Sequence, residues 1–321
     1  MKRSKISLVA TLLLAVSVFI LYASPKDKIA VSVIRGPSGL SSTWMMSELA
    51  RTSPSEFEFI SVAGADMVVA KLLNGEIDAG VLPVNVAAKL YNTGAPIRAL
   101  AVVGNGMVKF LTTDTKVQSL ADCKGKTIYI AGQKATPDYI FQFLCAQKGL
   151  QIERDYTAIY SLAYPEIAAG LAGGKISYAV LPEPFASQAI LKNPAIRTPI
   201  DITKEWQAAT DQPDYPMSLF VARKEMIEAY PDKTRILLDS YRASINKAIE
   251  DPQLIAKLAE NLDLGVNAQT AIIAIPKSNF VFVEAYQAIP SIEALLSVFL
   301  KFDPASVGGV LPSKSFYAQI K

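Results

Sequence analysis

The chain has 321 residues, 51% of them hydrophobic, with 32 basic side chains against 29 acidic ones. Lys2, Arg3 and Lys5 account for the whole excess, so the rest of the chain has no net charge and no general electrostatic hold on nucleic acid. Histidine is absent, which excludes histidine-based acid–base and nucleophile systems and the commonest metal ligand; Cys123 and Cys145 are too few for a four-cysteine zinc site.

Residues 1–24 begin with basic side chains and continue as an uncharged apolar run from Ile6 to Tyr22. This is the layout of a secretory signal peptide. The run is also close to bilayer-spanning length, so an uncleaved anchor is the second reading. Either reading puts residues 25–321 outside the cytoplasm. Cys145 sits among Ile140, Phe143 and Leu144 on a helix face, which suits a small buried hydrophobe better than half of a disulfide.

From Lys28 onward the pattern alternates. Ile29–Ile34 reads as a strand, Leu40–Ala50 as a helix, Glu58–Val62 as a strand and Ala65–Asn74 as a helix. A short strand over Ala79–Leu82 stops at Pro83, which has no N–H to give to a ladder. The same series then returns: Thr127–Ile130, Pro137–Gln147, Thr157–Tyr160, Pro165–Gly173 and Tyr178–Leu181 before Pro182. Gly75, Ile77, Val81, Leu82, Pro83 and Ala87 recur 99 residues later as Gly174, Ile176, Val180, Leu181, Pro182 and Ala186. After the second copy, Pro216–Ala222 reads as a returning strand. Leu237, Tyr241, Ile245 and Ala248 share one helix face; Leu254, Leu258 and Leu262 share another; Ile292, Leu295, Leu296 and Phe299 mark a final helix.

Strands alternating with helices predict mostly parallel sheets with right-handed crossovers. A chain of this length exceeds what one core usually supports. The repeat therefore implies two similar α/β lobes: residues 25–112 plus 215–321 in the first, and 113–214 inserted as the second. The two chain crossings are expected near Leu111–Lys116 and Thr210–Pro216.

Ligands of open α/β sheets bind beyond the carboxyl ends of strands, and two facing lobes make a cleft there. The first such turn is Arg35-Gly-Pro-Ser38-Gly39-Leu-Ser41, where glycine permits close backbone approach and serine can cap the helix. Its counterpart is Gly132-Gln133-Lys134-Ala-Thr136-Pro137, with Thr136 expected as N-cap and Pro137 at the first helical position. The third-strand exits carry Asn85 and Glu183. Glu183 stands between two prolines and suits either an acceptor for a ligand N–H or a helix-start carboxylate. Tyr139, Tyr164 and Tyr215 offer rings and hydroxyls that suit a ring-containing ligand, while Trp44 reads as core.

The stretches NGEIDAGVLPVNVAAKLYNTG, GKTIYIAGQKATPDYIF, GGKISYAVLPEPFASQ and FDPASVGGVLPSKSFY resemble the extracytoplasmic substrate-binding proteins of ABC importers. The resemblance is to the nitrate/sulfonate/taurine and thiamine-precursor group, from about Lys28 to the end of the chain. It implies a periplasmic binding protein type II fold, a small-molecule solute, and delivery to a membrane permease driven by an ATPase. The two-lobe repeat with its two crossings is expected to act as a monomer, and no cofactor or metal is expected. By position the resemblance assigns the solute site to Ser38, Gly39, Gly64, Asn85, Gly132, Gln133, Thr136, Tyr164 and Glu183, to which Tyr215 at the second crossing is added. The implied solute is a pyrimidine or other heterocycle, a sulfonate or a nitrate-like anion. The same superfamily contains a fungal pyrimidine-precursor synthase that consumes a histidine, and this chain has none to consume. An enzyme of the same fold and a membrane-anchored ligand sensor are the rival readings.

Overall fold

A computed structural model describes residues 28–320; the expected leader lies outside the described residues. The first copy of the repeat forms β1 (Ile29–Ile34), α1 (Pro37–Thr52), β2 (Phe57–Val62), α2 (Ala65–Leu73), β3 (Ala79–Pro83) and α3 (Val84–Asn92). Two linking strands follow, β4 (Ile97–Asn105) and β5 (Val108–Thr112). The second copy forms β6 (Thr127–Ile130), α4 (Thr136–Gln147), β7 (Thr157–Ile159), α5 (Tyr164–Ala172), β8 (Tyr178–Pro182) and α6 (Phe185–Lys192), then α7 (Ile202–Thr210). The chain closes with β9 (Pro216–Arg223), α8 (Lys224–Ala229), α9 (Pro231–Glu250), α10 (Pro252–Asn261), α11 (Ala268–Ala274), β10 (Val283–Glu284) and α12 (Ile289–Phe302).

The repeat holds at the level of single residues. Gly75 and Gly174 take left-handed φ values of 71° and 72° just beyond α2 and α5, where a side chain would be strained. Two sheets result, ordered β10-β4-β9-β3-β1-β2 and β5-β8-β6-β7. Both are mixed, for one topological reason. Within each copy the pairs are parallel, β1 with β2 and β3, and β6 with β7 and β8. The strand that follows each crossing adds to the third strand of a copy antiparallel, β9 to β3 and β5 to β8.

The first crossing is not where the sequence pointed. β4 pairs with β9 in the first sheet, whereas β5 pairs with β8 from Val108↔Pro182 to Thr112↔Tyr178 in the second. The chain therefore passes between sheets at Gly106–Met107, ahead of Leu111–Lys116. Val108–Thr112 is apolar enough for either sheet, so composition does not mark the change. The return passage runs from α7 to β9 and includes Thr210–Pro216 as expected.

The central strands β3, β4 and β9 are buried on both faces, as their near-continuous apolar runs require. α9 and α10 pack on α1, while α11 and α12 reach across to α6 and α4 of the second lobe. Helix starts are set locally: the Asp251 carboxylate accepts the Leu254 N–H at 3.0 Å, and Pro252 follows at the first helical position. Cys123 and Cys145 are buried and unpaired. Among the described residues no helix is long and apolar enough to cross a membrane.

Candidate functional site

A partly open cavity of about 510 Å³, its mouth included, lies between the two lobes at the carboxyl ends of their strands. The first lobe contributes Ile34 and Arg35 at the end of β1, Pro37 and Ser38 at the start of α1, and the β3 exit at Leu82-Pro83. The second contributes Pro137, Tyr164 and Pro182. Met107, Met217 and Ser218 line it from the two crossings. The surface is mainly apolar, with a few polar groups converging on it, which is the usual make-up of a small-molecule site.

Each polar group has a traceable geometry. The Ser38 hydroxyl donates to the Ile34 carbonyl at 2.8 Å and accepts the Ile34 N–H at 2.9 Å, which locks the β1–α1 turn. Tyr164 stacks on Phe185 with ring centroids 5.3 Å apart. Burial first, and then the charge of Asp138, push the Tyr164 phenol up to about 12, so it stays a neutral donor. No group among the described residues takes its hydroxyl. Arg35 is the only charged residue lining the cavity among the described residues. Its guanidinium is 3.6 Å from Asp263, a pair 48% and 88% exposed, so this partner holds it weakly.

Of the residues assigned from sequence, Ser38 and Tyr164 line this cavity. Gly132 and Gln133 are exposed on the β6–α4 loop. The φ of Gly132 is 76°, and a Cβ there would lie 3.3 Å from the Tyr164 hydroxyl. Gly64 precedes α2 in extended backbone. Gly39 lies inside α1, where a Cβ would stand 3.3 Å from Cβ of Leu264. Tyr215 is fully buried against Trp206, ring centroids 5.3 Å apart. Tyr139 donates to Asp303 at 2.6 Å and is likewise buried.

Thr136 and Asn85 differ from the sequence reading, and Glu183 takes the helix-start alternative that the sequence left open. Thr136 is the first residue of α4 rather than its N-cap, and its hydroxyl donates to the Asn85 side-chain carbonyl at 3.0 Å. Asn85 is buried and spends its amide N–H groups on the Lys134 and Ser306 carbonyls. The Glu183 carboxylate turns back to accept the Ser187 N–H of α6 at 3.0 Å, with only 2% of the residue exposed. Burial raises its pKa, and the Ser187 groups pull the other way. Sequence reasoning passed over Arg35, Met107, Met217 and Ser218. Arg35 was within reach of the strand-exit rule. The methionines and Ser218 face the cavity only because the crossings run behind it.

Two lobes with a cleft at their strand exits define the class: the periplasmic binding protein fold. The sequence pattern of the NMT1-like family matches residues 50–279, and the chain belongs to that family. No curated protein matches it. Similar solved structures include an ABC transporter protein from Parabacteroides distasonis, 24% identical, covering 92% of this chain and 100% of that one, with a TM-score of 0.72. The periplasmic aliphatic sulphonate binding protein SsuA of Escherichia coli is 16% identical, covering 92% and 93%, with a TM-score of 0.70. The periplasmic nitrate-binding protein NrtA of Synechocystis PCC 6803 is 14% identical, covering 86% and 82%, with a TM-score of 0.67.

Proposed function

We propose that this chain is the extracytoplasmic solute-binding component of an ABC importer. It captures a small organic anion with an apolar body between its lobes and presents it to a membrane permease served by an ATPase. It works as a monomer, by binding and lobe closure, with no catalytic step. The observation that carries the solute class is the lining: apolar surface, the hydroxyls of Ser218 and Tyr164, and Arg35 as the one charge among the described residues. A guanidinium and converging hydroxyls suit a sulfonate or carboxylate head, and the prolines and methionines suit its tail. An amine-bearing pyrimidine is less well matched: the Glu183 carboxylate, the acceptor it would call for, takes the Ser187 N–H of its own helix and does not line the cavity. The extracytoplasmic setting is supported by the periplasmic location named for the structurally similar proteins.

The test is a thermal-shift screen of alkane- and arylsulfonates, carboxylates, nitrate and pyrimidines, followed by calorimetry of the hits. A solute present at a hundred times its Kd stabilises the fold by about 2.7 kcal/mol, enough to shift the midpoint measurably. Arg35→Gln should weaken an anionic hit by roughly ten-fold or more. Binding of a pyrimidine with no response to any anion would overturn the proposed solute class.

A further inference from the structure

The first turn of α4 is tied to the first lobe by bonds that the solute site does not need. Asn85, at the start of α3, is 1% exposed and uses its whole amide. Its nitrogen donates to the Lys134 carbonyl at 2.8 Å and to the Ser306 carbonyl at 3.4 Å, and its oxygen accepts the Thr136 hydroxyl at 3.0 Å. Ser306 belongs with the first lobe beside α3; Lys134 and Thr136 belong to the second. One side chain thus holds an acceptor and a donor of the opposite lobe at once.

The second lobe is shaped to meet it. Lys134 is a non-glycine residue at φ 63°, a conformation that L side chains adopt only when something holds them there. The fully buried Asp138 does so, accepting the Lys134 N–H at 2.8 Å. In this conformation the Lys134 carbonyl faces Asn85. A strained turn, a buried carboxylate that maintains it and a fully used amide opposite make a matched pair of surfaces rather than an incidental contact.

We infer that Asn85 is a latch that holds the two lobes closed through Lys134 and Thr136, independently of any solute. It sets the closed fraction of the empty protein, and with it the fraction of the solute's binding energy left over for affinity. The inference rests on the two-lobed carrier reading only for the lobe motion. Its test uses no solute, so a failed solute screen and a failed latch are separate results.

Ala70 and Ala169 are exposed, repeat-related positions on α2 and α5, one in each lobe. Spin labels on Ala70→Cys and Ala169→Cys report lobe separation by pulsed electron resonance; the native cysteines are fully buried and stay unlabelled. The otherwise unaltered chain should show mainly the short, closed distance. Asn85→Asp sets a carboxylate against the two carbonyls and should move the population to a longer distance. Thr136→Val, nearly isosteric, removes one bond and should raise the open-to-closed ratio about five-fold. Ile255→Val in the core of α10 serves as a control for stability loss and should leave the distances unchanged. A chain already open without substitution overturns the inference. So do distances that stay put in Thr136→Val while its melting temperature falls, since the contacts are then fixed packing beside the hinge. Should Asn85→Asp fail to fold, Thr136→Val alone decides.

Discussion

The Asp214 carboxylate accepts the backbone N–H of Gly106 at 3.1 Å, which ties the outgoing crossing of the chain to the returning one. The other carboxylate oxygen accepts the Asn279 amide at 2.7 Å, and that amide also donates to the Gly106 carbonyl at 3.1 Å. A Cβ at Gly106 would lie 2.6 Å from Asp214 and 2.9 Å from the Tyr215 ring. The two passages are therefore clipped together where the chain passes between the two sheets.

Asp214→Ala leaves the Gly106 N–H without its acceptor and removes one of the two acceptors of the Asn279 amide. Expected is a loss of about 1–3 kcal/mol in urea unfolding, with an unchanged slope. Gly106→Ala should cost a similar amount through the clash alone. If Asp214→Ala unfolds at the parent midpoint, the clip contributes nothing to stability.

Glu183 provides a test of site against scaffold. Its carboxyl is raised by burial above its ordinary 4.5, so the folded state holds the proton more tightly than the unfolded one. Stability from this group is present below the unfolded value and is lost as pH rises through the folded one. Glu183→Gln should flatten that decline while leaving solute affinity within about two-fold on the usual affinity scale. A ten-fold loss of affinity would return Glu183 to the solute site.

Asp114 titrates in the opposite sense. The Tyr178 hydroxyl, the Lys116 N–H and the Lys126 ammonium hold its carboxyl at about 2, below its ordinary 3.8. Its contribution is present above 3.8 and fades as pH falls through the folded value. Asp114→Asn should therefore show a shallower fall in melting temperature on acidification from pH 4 toward pH 2, and little difference near neutrality.

Tyr164→Phe separates the hydroxyl from the ring. The ring stack on Phe185 survives and no protein partner loses a bond, so stability should stay within about 0.5 kcal/mol. Solute affinity should fall about five-fold if the hydroxyl donates to the solute. Equal affinity in calorimetry would make Tyr164 an apolar wall only.

The helices and strands of both repeat copies were legible because they rest on local periodicity and local punctuation. Gly75 and Gly174 end their helices in the same left-handed turn, and Pro83 and Pro182 end their strands for want of an N–H. The strand-exit rule reached Ser38 and Tyr164 for the same reason: a residue just past a strand takes its position from that strand.

What the neighbours of a side chain decide was not legible. Thr136 carries the composition of an N-cap, yet its hydroxyl finds a better partner 51 positions away in Asn85. Tyr139 and Tyr215 have the chemistry of a ring-binding site, but packing buries them beside Phe299 and Trp206.

The sequence by itself determined two like α/β halves, their strand exits and the family. Only the tertiary structure decided that the chain changes sheets at Gly106, that Glu183 faces its own helix, and that Arg35 is the charge left at the cleft. Local patterns act through neighbours along the chain and can be read there. Pairing of distant strands and the satisfaction of buried polar groups depend on which distant residues the fold brings into reach.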